Sequence, residues 1–76
     1  MLEHESAVPV YRQLADLLRE AITSGKLTVG KPLPSESTLM GEHGVSRDTV
    51  RKAVAILRDE GIVVTVQGKG SYVATR

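Results

Sequence analysis

The chain has 76 residues, no cysteine, two histidines and a formal net charge of +1 at pH 7. This length allows one small domain, and the lack of cysteine excludes disulfides and thiolate metal sites, so we expect no metal and no cofactor. No apolar run approaches the roughly 20 residues of a membrane span, and the N-terminus lacks a signal-peptide pattern. We therefore expect a soluble protein of the cytoplasm.

The charges are unevenly distributed along the chain. Residues 1–44 contain four basic and six acidic side chains, whereas residues 45–76 contain six basic and three acidic ones. Positive charge that is concentrated in one part of a small domain is typical of a surface that binds nucleic acid.

The first predicted element is a helix that follows a polar N-terminal segment. Residues 1–8 show no pattern, and we expect them to form a flexible arm. Pro9 suits a first helical turn because the N–H that it lacks would be unpaired there. We predict a helix from Pro9 to about Ser24. Apolar residues recur in it at spacings of three and four: Leu14, Leu17, Leu18, Ala21 and Ile22.

The next segment has the pattern of a loop followed by a short second helix. Residues 26–34 are expected to form the loop, with a very short strand around Lys31 to Leu33 that could pair with a later hairpin. Pro34 prevents helix before Ser35, and residues 35–43 are long enough for two to three turns. Gly44 can adopt a positive φ and so lets the chain enter another helix within a few residues. This is the pattern of a helix-turn-helix.

The third predicted helix, residues 46–60, has one apolar and one cationic face. Ser46 is a good N-cap, because its hydroxyl can accept a hydrogen bond from a free N–H in the first turn. One stripe of this helix is apolar, and it consists of Val50, Ala53, Val54 and Leu57. Three arginines line the flank: Arg47, Arg51 and Arg58. Such a helix can pack on a core and present cations to the major groove of DNA.

The end of the chain predicts a β-hairpin. Gly61 is placed to end the third helix, and residues 62–66 are rich in β-branched residues. Residues 67–70 have turn composition, and residues 71–74 form a return strand on which we expect Tyr72 to pack against the core. The predicted fold is mainly α with a small β-hairpin, a winged helix-turn-helix over residues 9–76.

Several motifs resemble the N-terminal DNA-binding domain of the GntR family of bacterial transcription regulators, with an opening and a wing similar to its HutC-like branch. They are Pro9-Val10-Tyr11-Arg12-Gln13-Leu14, Gly25-Lys26-Leu27, Leu33-Pro34-Ser35-Glu36, Val45-Ser46-Arg47-Asp48-Thr49-Val50-Arg51-Lys52-Ala53 and Gly68-Lys69-Gly70-Ser71-Tyr72-Val73. The resemblance implies a homodimer on double-stranded operator DNA. It also implies a C-terminal domain that binds a metabolite and is absent from this chain, so we expect the isolated domain to be mostly monomeric.

The resemblance also implies which residues contact DNA. Arg47 and Arg51 would reach base edges or phosphates in the major groove, because the arginine fork can donate two hydrogen bonds to guanine. Gly68 would bring the wing backbone to the minor groove. Phosphate contacts would come from Ser46, Thr49 and Lys69. Apart from the resemblance, Ser35 is a further candidate for DNA contact, and the hydroxyl of Tyr11, at the edge of the first helix, is expected to reach a phosphate. Many relatives have arginine where this chain has Ser37, so a contact there is weaker or lost.

Three other functions compete with duplex DNA binding. The Gly68-Lys69-Gly70-Ser71 turn is no phosphate-binding P-loop, because Val63 replaces the first glycine and a strand follows, and no catalytic set of residues is evident. Single-stranded nucleic acid or RNA usually needs aromatic platforms, and the chain has only Tyr11 and Tyr72. A winged helix that binds protein stays the alternative, and it predicts an exposed apolar patch on the third helix.

Overall fold

Three helices precede a two-stranded hairpin in the structure, a computed structural model that describes residues 2–74. The elements are α1 (Val10–Thr23), α2 (Glu36–His43), α3 (Arg47–Asp59), β1 (Val63–Val66) and β2 (Gly70–Val73). The predicted winged helix-turn-helix is confirmed, with each element within about a residue or two of its expected bounds. Met1, Thr75 and Arg76 belong to the predicted arm and domain but lie outside the described residues.

The two helices of the helix-turn-helix begin with the same capping arrangement. The Thr38 N–H donates to Ser35 Oγ at 3.1 Å, and the Thr49 N–H donates to Ser46 Oγ at 3.2 Å. Each bond satisfies a backbone donor that has no partner inside its helix. The cap at Ser46 was predicted from the sequence, whereas the start of α2 was predicted from Pro34 and its cap at Ser35 is shown by the structure.

Gly44 makes the sharp turn between α2 and α3. Its φ of +63° and ψ of +41° are left-handed, and its N–H bonds to the Met40 carbonyl. A Cβ at this position would meet no atom within 4 Å, so glycine is favoured here by its backbone conformation and not by lack of space. The predicted left-handed turn at Gly44 is confirmed.

The helices and the hairpin share one apolar core. Leu57 and Val50 of α3 are fully buried, whereas Val54 and Ile22, also predicted to pack there, are half-buried at its edge. This packing fixes the rotation of α3, so that its charged flank faces outward. The buried residues come from all five elements and the loop before α2: Leu14, Ala15, Leu18, Leu33, Leu39, Val50, Ala53, Leu57, Val63 and Val73.

The hairpin forms the wing and is fastened to the loop before α2. β1 and β2 pair antiparallel from Val63 opposite Val73 to Val66 opposite Gly70. An isolated bridge joins Pro32 to Tyr72, which confirms that the loop segment around residue 32 pairs with the hairpin. The tight turn has Gly68 at a φ of +79°, with the Lys69 N–H bonded to the Val66 carbonyl. The base of the wing is therefore fastened to the loop before α2, and its tip is closed by a tight turn.

The side chain of Gln13 binds the N-terminal segment. Its Oε1 accepts from the Glu3 N–H at 2.6 Å, and its Nε2 donates to the Glu3 and Val8 carbonyls at 2.7 and 2.8 Å. Leu2 packs against the edge of the core. The flexibility expected for residues 1–8 stays a prediction, and Gln13 is the residue that would restrain them.

Candidate nucleic-acid interface

Two arginines occupy the exposed N-terminal end of α3. Arg47 and Arg51 are one helical turn apart, with 52% and 65% of their side-chain surface exposed. A spacing of four residues brings two side chains to the same face of a helix. Both guanidinium groups can therefore enter one groove of a duplex together.

A carboxylate of α2 lies between these two arginines. Glu36 Oε1 is 3.4 Å from Nε of Arg47, and Glu36 Oε2 accepts a 3.0 Å hydrogen bond from Nε of Arg51. This hydrogen bond, together with the negative charge of Glu36, raises the pKa of Arg51. Within residues 2–74, the terminal nitrogens of neither arginine donate to another residue, so they are available for a ligand.

The hydroxyl residues at the two helix starts bond first to each other. Ser46 Oγ donates to Thr49 Oγ1 at 3.0 Å while it accepts the Thr49 N–H. Ser35 makes the same pair of bonds with Thr38. Because one hydroxyl of each pair donates to the other, one hydroxyl proton of each pair is left for a phosphate.

The remaining predicted contact residues lie on α1, α2 and the wing. Ser37 is exposed in the first turn of α2, and Gly68 and Lys69 are exposed at the wing tip. Tyr11, which is half-buried at the start of α1, lies beside α3, because Lys52 Nζ is 5.6 Å from the centroid of its ring. Tyr11 and Ser37 thus lie on the two helices that pack against α3, and Gly68 and Lys69 lie on the wing.

A groove of about 640 Å³ separates α3 from the wing. Its walls include the cations Arg51, Arg58 and Lys69, and Arg58 Nη1 is 3.4 Å from Thr65 Oγ1 of β1. The only acidic residue in its lining is Glu36. The groove therefore joins the tip of α3 to the wing through a positively charged surface.

At the C-terminal end of α3, acidic side chains are paired with an arginine of α1. Glu60 accepts two hydrogen bonds from Arg19 of α1, at 2.9 and 2.7 Å, and Asp16 pairs with the same guanidinium at 2.6 Å. The bonds to Glu60 and then to Asp16 raise the pKa of Arg19. These carboxylates are held at the end of α3 that lies far from Arg47.

The role of Glu36 could not be recognised in the sequence. Glu36 is the first residue of α2, and a negative charge at a helix N-terminus is favourable. This effect alone would explain a glutamate at this position. Only the packing of α2 on α3 brings it between two arginines that are 11 and 15 positions away. The Arg58 to Thr65 contact was equally hidden, because it depends on how the hairpin returns past α3.

The charged surface of α3 decides against the protein-binding alternative. That alternative requires an exposed apolar patch on α3, but the exposed residues of this helix are Arg47, Asp48, Arg51, Lys52, Arg58 and Asp59. Across residues 2–74, no helix is long and apolar enough to span a membrane, and no histidine and carboxylate side chains are grouped as metal ligands would be.

Comparison with known proteins gives one consistent result. The model of "Bacterial regulatory proteins, gntR family" matches residues 10–73. The mannosyl-D-glycerate transport/metabolism system repressor MngR of Escherichia coli is 51% identical over 65 residues, which are 86% of this chain but 27% of the repressor. The chain thus spans less than a third of this relative.

Solved structures agree in fold and in sequence. YtrA of Sulfolobus acidocaldarius, a GntR-family transcription factor, superposes with a TM-score of 0.89 at 39% identity, over 100% of this chain and 80% of that one. The AraR DNA-binding domain in complex with operator ORX1 has a TM-score of 0.84 at 37% identity, over 96% and 87% of the two chains. These relatives are transcription regulators and not enzymes, and the chain is a winged-helix DNA-binding domain that belongs to the gntR family of bacterial regulatory proteins.

Proposed function

We propose that this domain reads operator DNA with residues 46–60 in the major groove and residues 67–70 at the minor groove. The observation that carries the proposal is the pair Arg47 and Arg51, exposed at the tip of α3 and held through their Nε atoms by Glu36. A guanidinium whose terminal nitrogens face outward can donate two hydrogen bonds to O6 and N7 of guanine. The similarity to a domain solved on its operator supports the same orientation here.

The other interface residues are proposed to fix the domain on the sugar-phosphate backbone. Thr49 and Lys69 are proposed as donors to phosphate, because Thr49 is in the first turn of α3 between Arg47 and Arg51, and Lys69 is an exposed cation at the wing tip. Ser35, Ser46, Ser37 and the hydroxyl of Tyr11 would add contacts to flanking phosphates. The backbone at Gly68, which has no side chain, would approach the minor groove most closely.

Selection from a library of random duplexes tests this function. The domain should enrich a short motif that contains guanine at the positions facing Arg47 and Arg51, because these are the side chains able to distinguish bases. Binding to the selected duplex should weaken steeply between about 50 and 200 mM salt, since phosphate contacts release counterions. Recovery of duplexes with no common motif would show that the domain does not read sequence.

We further infer a longer regulator around this domain. Its arrangement would be that of the HutC-like branch, with residues 1–8 as an arm, residues 9–76 as the DNA-binding domain and a following domain that binds a metabolite and pairs two chains. It would act in the cytoplasm. The domain alone should sediment as a monomer at micromolar concentration and bind DNA weakly, because it lacks the second half-site that a dimer provides. A tight dimer of the isolated domain would contradict this.

A further inference from the structure

Arg58 lies in the groove between α3 and the wing, away from the two arginines at the tip. It lines the groove with Arg51 and Lys69, and its Nη1 donates to Thr65 Oγ1 at 3.4 Å, near the limit for a hydrogen bond. Thr65 is on β1, so this contact joins the wing to the helix. The pair offers a guanidinium and a hydroxyl at one place in the groove wall.

The position of Arg58 along α3 separates it from the bases. It follows Arg51 by seven residues, which is about 10 Å along the helix axis on nearly the same stripe. If the arginines at the N-terminal end of α3 read bases as proposed, a side chain two turns further along would be level with the edge of the major groove. A DNA strand that runs from the major groove to the wing would cross the protein groove between α3 and the wing at the place where Arg58 lies.

The charge around Arg58 favours an anion. Across residues 2–74, no carboxylate lies within ion-pair distance of Arg58, whereas Arg19, Arg47, Arg51 and Lys52 each have an acidic partner. Glu36, the one acidic residue lining the groove, is shared by Arg47 and Arg51. The positive charge of Arg58 is thus uncompensated on the side of the groove that faces the wing.

We propose that Arg58 and Thr65 bind one phosphate of the strand that crosses from the major groove at α3 to the minor groove at the wing. The inference rests on the proposed function and adds a contact that fixes the spacing between helix and wing on DNA. Arginine suits this role, because its planar fork can hold two oxygens of one phosphate. The contact carries no base information, so it would strengthen binding to any duplex.

Salt titrations of Arg58→Ala and the wild type test the proposal. The variant should weaken binding to the selected duplex and to a scrambled one by the same factor. The slope of log Kd against log salt should become shallower by about 0.9, the value for one lost phosphate contact. Arg58→Lys should keep most of the slope. Lys26→Ala, a charge change beyond the end of α1 and outside the groove, should leave the slope unchanged.

Neutral methylphosphonates, placed singly along the selected duplex, locate the contact. One position between the major-groove and minor-groove contacts should weaken the wild type but leave Arg58→Ala unaffected. An unchanged salt slope in a folded Arg58→Ala variant would overturn the proposal and leave Arg58 as a favourable charge in the last turn of α3. If the wild type bound the selected and scrambled duplexes equally well, the proposed sequence reading would be refuted. The salt slopes of the wild type and Arg58→Ala would still show whether Arg58 contacts a phosphate. A wild type that binds no duplex would refute both.

Discussion

Arg51 and Glu36 lie opposite each other across the helix-turn-helix, with Nε of Arg51 3.0 Å from Oε2 of Glu36. The same carboxylate reaches Arg47 through its other oxygen. An acid inside a DNA-binding surface repels phosphate, so its presence needs a reason. We infer that Glu36 holds the two guanidinium groups with their terminal nitrogens outward. It would thereby lower the affinity for DNA in general and raise the preference for the selected duplex.

Glu36→Gln should raise affinity for scrambled DNA and lower the preference for the selected duplex. Loss of the carboxylate removes repulsion of phosphate and also frees both arginines to adopt other rotamers. We expect the ratio of the two Kd values to fall by about two- to fivefold, the range of an exposed ion pair. Fluorescence anisotropy on both duplexes measures it, with Glu42→Gln on the same helix as a matched charge control. A preference that stays at the wild-type value would show that Glu36 does not orient the arginines.

Lys69→Ala should weaken binding to selected and scrambled duplexes by similar factors. Lys69 is on an exposed turn and provides a point charge, so its loss should make the salt slope shallower by about one unit. The same titrations measure this change. If the loss were confined to the selected duplex, Lys69 would be a base-reading residue.

Leu57→Ala should destabilise the domain by about 2 to 5 kcal/mol, because this side chain is fully buried between the helices. Val29→Ala serves as control, since half of Val29 is exposed, and should cost less than about 0.5 kcal/mol. Urea unfolding monitored by circular dichroism gives both values. A loss at Leu57 no larger than that at Val29 would be incompatible with the core described above.

Glycine-to-alanine substitutions at Gly44 and Gly41 should have opposite effects on the free energy of unfolding. Gly44→Ala forces a side chain into a left-handed conformation and should destabilise by about 1 kcal/mol or more, and Gly44→Val by more than that. Gly41→Ala, inside α2 with open space around a Cβ, should stabilise by about 0.5 to 1 kcal/mol. Urea unfolding compares the two, and a Gly44→Ala variant as stable as the wild type would contradict the turn geometry.

The elements of this fold follow from local patterns. The cap at Ser46, the stop at Pro34, the turn glycine at Gly44 and the apolar stripe of α3 each act within a few residues, so the sequence was sufficient to predict them. The ion pairs of Glu36 and the contact from Arg58 to Thr65 depend on how α2 and β1 pack around α3. A pattern along one helix contains no information on such partners, and these parts of the site required the structure.

The central claim is that Arg47 and Arg51 read bases and do not merely hold the backbone. The measurement that tests it most directly is the ratio of Kd on scrambled DNA to Kd on the selected duplex, for the wild type, Arg47→Ala and Arg51→Ala. We predict that each substitution lowers this ratio by about 5- to 100-fold, mostly through lost affinity for the selected duplex. If both substitutions weakened the two duplexes equally, these arginines would contact only phosphate, and sequence would be read elsewhere, with the wing around Gly68 as the next candidate.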